Sequence, residues 1–143
     1  MVMIMSRHQL KVEHRFKAEL PDVYQRLADH ERLGQVFGVP CHRIQAGESD
    51  PDGTGSVRRI GLWPLAIEET VVDSKVGRFI DYRITRGGWP LRDHRGRISF
   101  SQKAGEVLVE WEIHFNAPIN LLGLVIASGL QRIIGRGLKK IDI

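Results

Sequence analysis

Residues 105–143 read GEVLVEWEIHFNAPINLLGLVIASGLQRIIGRGLKKIDI, which holds a strand, a break and a long helix. Val107, Val109, Trp111, Ile113 and Phe115 alternate with Leu108, Glu110, Glu112 and His114. A period of two with one apolar face predicts a half-buried antiparallel strand. Asn116-Ala117-Pro118 ends it, because proline has no N–H to give a sheet ladder. From Ile119 the period becomes helical. Gly123, Ile126, Ala127, Leu130, Ile133, Ile134, Gly137, Leu138 and Ile141 recur at three- and four-residue spacing. Arg132, Arg136, Lys139 and Lys140 fall on the opposite side. Such a helix needs an apolar surface to lie on, and the sequence upstream supplies one.

Working outward, Gln9 to Ala18 alternates Leu10, Val12, His14 and Phe16 against Lys11, Glu13, Arg15 and Lys17, a first strand. Leu20-Pro21-Asp22 opens a short helix, with proline in the first turn where its missing N–H costs little. A second short helix follows to about Gln35, then an apolar loop, Val36 to Pro40. Strands are expected over 41–46, 56–62, 65–73, 78–85 and 93–102, separated by turn clusters such as Gly47 to Gly55. Consecutive short strands with tight turns imply an antiparallel sheet. The expected fold is α+β: a seven-stranded curved antiparallel sheet wrapped around a long C-terminal helix, with two short helices after the first strand.

The chain has 143 residues, most simply one domain over 1–143, with residues 1–8 a loosely held N-terminus. Its net charge of +4 permits anionic partners without demanding them. One cysteine, Cys41, excludes an internal disulfide and a CxxC metal site. The six histidines form no HxxxH or HxH pair, so no metal is expected. Apolar residues precede the first charge at the N-terminus, the reverse of a secretory signal. The apolar run 119–130 ends at Arg132, short of the roughly 20 residues that span a bilayer. A cytoplasmic setting is expected. No GxGxxG or GxxxxGK phosphate loop is present, and no cofactor is expected. The arginines at 83, 86, 92, 95 and 97 read as a solvated basic edge, because no stacking aromatics interleave them; nucleic acid is not an expected partner.

The order of elements resembles the helix-grip fold of the START-like (SRPBCC) superfamily, in particular its polyketide cyclase/dehydrase-like branch. The local patterns agree. Val23 to Asp29 is similar to the family's "VFxxLADxE" helix, and Gly55-Ser-Val-Arg-Arg59 to its "GxxRR" strand start. Ile67-Glu-Glu-Thr-Val71 with Asp73 resembles "xxExVxxxD", and Trp111 to Phe115 with Pro118 resembles "WxxxFxPP". The resemblance spans residues 9–141. It implies an apolar ligand held between the sheet and the last helix.

Alternation assigns the residues that would line such a cavity. Val57, Arg59 and Gly61 share a face, as do Leu65, Ile67, Glu69 and Val71 on the next strand. Tyr82, His94, Phe100 and Trp111 point the same way from later strands, and Ile126 and Leu130 from the helix. Arg59 and Glu69 would pair across adjacent strands, since a buried charge must be paired or neutral. His94, Glu69 and Tyr82 are the candidate acid–base groups if the protein is an enzyme. The loops of one end concentrate Phe37, Trp63, Trp89, Leu121 and Leu122. Three readings of that end stay open: a cap on the core, a cavity mouth gated by Trp-Pro loops, or a contact patch at residues 119–125 for a second copy or a membrane surface. The expected partner is a small hydrophobic or amphipathic molecule of lipid, polyketide or aromatic type. A cyclase or dehydratase using the cavity residues is the alternative.

Overall fold

A computed structural model describes residues 5–143. In chain order the elements are β1 (Ser6–Phe16), α1 (Leu20–Ala28), a 3-10 turn (His30–Arg32), α2 (Gly34–Phe37), β2 (Cys41–Gln45), β3 (Val57–Ile60), β4 (Ile67–Lys75), β5 (Phe79–Arg86), β6 (Arg92–Lys103), β7 (Glu106–Ala117) and α3 (Asn120–Lys140). The strands form one antiparallel sheet in the order β1-β7-β6-β5-β4-β3-β2. β2 to β7 form a meander, and β1 closes against β7 over its whole length, Ser6 opposite Ala117 and Phe16 opposite Val107. Register shifts at Arg43/Gln45, Val71/Asp73 and Arg92/Arg95 bend the sheet, as bulges do.

β7 alternates as its sequence dictates: Val107, Val109, Trp111, Ile113, Phe115 and Ala117 are buried and their neighbours half-buried. Trp111, in the middle of β7, is fully buried. α1 begins with Pro21 in its first turn and turns Val23 and Leu27, both fully buried, onto the sheet. α3 lies against β1 and α2 and buries Gly123, Ile134, Gly137 and Leu138. It is long and apolar enough to cross a membrane by length and composition alone. Its second half packs Ile134 and Leu138 fully buried in the core.

Two expectations change. Of the N-terminus expected to be loose, residues 1–4 lie outside the described residues. Ser6, Arg7 and His8 belong to β1 and pair with Ala117, Asn116 and Phe115. Their strand hydrogen bonds hold them, and His8 stacks on Phe115 at 5.5 Å. The basic strands β5 and β6 are interior to the sheet, and its edges are β1 and β2. The arginines project from the outer face, so they cannot guard an edge against pairing.

Candidate functional site

The inner faces of β3 to β7, the α2–β2 connection and one side of α3 enclose a cavity of about 290 Å3. Apolar side chains dominate its wall, among them Phe37, Ile60, Ile84, Leu91 and Ile113 from the sheet side. Ile126, Leu130 and Ile133 come from α3. It opens toward solvent past Val39 and Ile133, which are 40% and 44% exposed. Three polar side chains interrupt the wall: Glu69, Tyr82 and His94. A larger hollow of about 780 Å3 lies on the outer face of the sheet among Arg7, Arg83, Arg95 and His114. That hollow is lined mainly by polar and charged side chains, whereas the inner cavity has the mostly apolar lining of small-molecule sites.

Glu69 owes its position to β4, where Glu69 and Val71 alternate inward. It is 3% exposed and paired with Arg58, which is fully buried. Arg58 Nε donates to Glu69 Oε1 at 2.9 Å, and Nη2 lies 2.9 Å from the same oxygen without completing a second hydrogen bond. The partner expected from the sequence was Arg59. Arg59 instead faces outward, opposite Glu68 in the register, and donates to its Oε2 at 3.2 Å. The inward residues of β3 are Arg58 and Ile60, continuing from buried Ser56, so the assignment slips by one residue. The apolar residues of β3 leave the choice open in sequence: counting back by two from Ile60 puts Arg58 inside, and counting on from Val57 puts Arg59 inside.

Arg58 continues into a buried polar chain. Its Nη1 donates to His30 Nδ1 at 3.5 Å, which leaves His30 Nε2–H to donate to Ser56 Oγ at 2.8 Å. Burial, then the charges of Arg58 and Arg43, push the His30 pKa down to about 3. His30 is therefore a neutral link. Nothing in the alternation of the chain singles out His30, which lies in the 3-10 turn between α1 and α2.

Tyr82 is 1% exposed and spans the wall beneath the cavity. Trp111 Nε1–H donates to its hydroxyl at 2.7 Å, and the Arg58 guanidinium lies 4.7 Å from its ring centre. The residue opposite in β6 is Gly96, and any Cβ there would collide with the Tyr82 ring. Burial, reinforced by Glu69, holds the phenol above its ordinary pKa, so it stays protonated. His94 sits in the β6 bulge, 9% exposed, its ring centre 6.1 Å from that of Tyr82. Its Nδ1 is buried with no hydrogen-bond partner among the described residues. Burial outweighs the pull of Glu69 and holds the imidazole below its usual pKa.

Of the residues expected to line the cavity, Glu69, Tyr82, His94, Ile126 and Leu130 do. Phe100 and Trp111 do not. Both are buried in the core beside it, Phe100 against Tyr24 of α1 at 5.0 Å and Trp111 against Phe37 at 5.7 Å. The short helices fill the sheet there and leave room for a cavity only farther along. Of the expected mouth residues, Phe37 lines the cavity. Trp63, Trp89 and Leu121 are 56%, 89% and 69% exposed, and Leu122 is half-buried; none of the four lines it. The guanidinium groups of Arg59 and Arg86 lie over the Trp63 ring, 5.5 and 5.3 Å from its centre. Left-handed backbone at Gly87 and Gly88 turns Trp89 outward, while Gly88 and Leu91 of the same loop form the rim. Among the described residues no group of His, Cys, Asp and Glu could hold a metal ion.

Solved structures share this architecture at low identity. Truncated norcoclaurine synthase from Thalictrum flavum matches with a TM-score of 0.69 at 13% identity, covering 95% of this chain and 93% of that one. Protein Ms6760 from Mycobacterium smegmatis matches at 0.67 and 13% identity, covering 94% and 88%. Ara h 8.0201 matches at 0.66 and 11% identity, covering 94% and 100%. No curated protein matches the sequence. Residues 7–142 match the family model described as polyketide cyclase / dehydrase and lipid transport. Those structures share the fold of a curved sheet closed on α3, and the chain belongs to that polyketide cyclase/dehydrase and lipid transport family.

Proposed function

We propose that this protein is a single-domain carrier or receptor that binds one small hydrophobic or amphipathic molecule in the cavity between sheet and α3. The observation that carries the reading is the wall itself: a 290 Å3 space, apolar except for Glu69, Tyr82 and His94. Burying ligand surface there contributes roughly 25 cal/mol per Å2, and the three polar groups set orientation. Titration with the neutral fluorophore N-phenyl-1-naphthylamine tests it. The reading expects saturable enhancement at one site, lost in Leu130→Trp, whose indole fills the space. Equal enhancement in both proteins would sink it.

A second reading, a cyclase or dehydratase, draws on the grouping of two titratable side chains and a phenol on one cavity. Glu69 is engaged by Arg58, so His94 would have to act as the acid or base. This reading expects His94→Gln to abolish conversion of a bound poly-β-ketone while leaving its binding within about threefold.

A contact role draws on the exposed end of the molecule. Leu62, Leu65 and Trp89 are 71%, 87% and 89% exposed there, and Leu121 and Val125 are 69% and 61% exposed on the first turns of α3. Sedimentation with phosphatidylglycerol vesicles and the solution mass, each measured for parent and Leu121→Glu, test a membrane or a second copy. Identical behaviour of both proteins counts against any contact through 119–125.

A further inference from the structure

The cavity wall holds an uneven set of hydrogen-bonding groups. The Arg58–Glu69 pair is oriented with its acid toward the cavity: Glu69 lines it, and Arg58 lies behind. Both guanidinium contacts converge on Oε1, and Oε2 accepts no hydrogen bond among the described residues. His94 is nine-tenths buried, lines the same wall, and has a buried ring nitrogen without a partner. A buried polar group left unpaired is costly, and His94 is such a group on the wall of an apolar space, which points to an occupant that engages it together with Glu69. The hydroxyl of Tyr82 already accepts from Trp111 and fixes the ring between the two.

Charge narrows the occupant. Arg58 and Glu69 sum to zero, and burial keeps His94 neutral. A carboxylate on the ligand would meet the Glu69 carboxylate in a space of low dielectric. An ammonium would add a second buried cation to the one that Arg58 already supplies. A neutral hydroxyl carries neither charge. It donates its one proton to Glu69 and accepts from the N–H of the neutral imidazole. We infer that the cavity selects an apolar molecule bearing one neutral hydroxyl, an alcohol or a phenol, with that group turned inward between Glu69 and His94. This rests on the ligand-binding reading above and names the chemistry it would take. At about 290 Å3 the molecule is small, near the lower end of ligand-site volumes.

The test uses three compounds on one skeleton, 4-pentylphenol, 4-pentylanisole and 4-pentylbenzoate, titrated calorimetrically into the full chain at pH 7.5. The phenol should bind at least about tenfold tighter than the methyl ether, since a hydrogen bond to a charged acceptor has that worth. The benzoate should bind weakest. His94→Phe keeps a ring of similar size and should narrow the phenol-to-ether ratio severalfold without weakening the ether. Arg58→Met/Glu69→Leu replaces the pair by apolar groups of similar volume and should erase the ratio even though Glu69→Gln alone could unfold the protein. Ether and phenol of equal affinity, or benzoate as the best ligand, overturns the inference and leaves the cavity reading standing. Failure of all three compounds, together with failure of N-phenyl-1-naphthylamine, overturns both.

Discussion

Arg58→Ala separates the two registers that the Arg58-Arg59 doublet allows. The substitution removes a fully buried guanidinium and strands the carboxylate of Glu69, 3% exposed, without its partner at 2.9 Å. It also removes the donor to His30 and the cation over the Tyr82 ring. Breaking a buried ion pair from one side costs about 3–5 kcal/mol. For a domain of this size each kcal/mol moves the melting temperature by about 3–4 °C, so the expected fall is on the order of 10–20 °C. Arg59→Ala breaks its pair with Glu68 and its contact with the Trp63 ring; the Arg59 side chain is 37% exposed, and each such contact contributes about 0–1 kcal/mol. Its expected fall is under about 8 °C. The double replacement Arg58→Met/Glu69→Leu should recover most of the loss, because it removes both buried charges together. Differential scanning calorimetry of the four proteins reads all of this. An Arg59→Ala fall as large as that of Arg58→Ala would refute the register and the placement of the pair.

Three further outcomes follow from the packing and the charges. The folded-state pKa of His30, about 3, lies below its unfolded value near 6.5, so its neutral form stabilises the fold above pH 6.5 and that stability is lost as pH falls toward 3. Urea denaturation at pH 7 and pH 4.5 should show a loss approaching about 1.4 kcal/mol per pH unit from this group, smaller in His30→Asn; an identical slope in both would contradict the assignment. Gly129→Ala meets open space in the middle of α3 and should stabilise by about 0.5–1 kcal/mol, whereas at Gly137 a Cβ collides with the Val36 carbonyl and should destabilise by about 1–3 kcal/mol; matched thermal melts check the opposite signs. Trp63→Ala removes the ring that Arg59 and Arg86 contact at the exposed end and should leave N-phenyl-1-naphthylamine affinity within twofold, because Trp63 does not line the cavity.

Most of the fold was legible because its strands repeat with period two and its last helix with period near 3.6. β4 to β7 put Glu69, Val71, Tyr82, His94, Ile98 and Trp111 inward, as alternation predicts. β3 failed for a physical reason. It is four residues long, its apolar Val57 and Ile60 lie on opposite faces, and each of its two arginines has a glutamate directly across. Hydrophobicity therefore leaves its register undecided, and only the buried Ser56–His30 contact and Ile60 fix it. The cavity boundary was less legible than its wall. Alternation tells which face Phe100 and Trp111 take, but whether space remains in front of them depends on Tyr24 and Phe37 from the short helices. The Trp-Pro loops were legible as one end of the meander. Their side-chain directions depend on local backbone turns and on the arginines that flank Trp63.

Native mass spectrometry of the protein as purified, beside Leu130→Trp, tests the ligand-binding claim most directly. The account predicts a one-to-one adduct of a small, neutral, mostly apolar molecule on the parent, released by gentle activation and missing from the filled variant. The same spectrum for both proteins, with neither taking up added 4-pentylphenol, would contradict it.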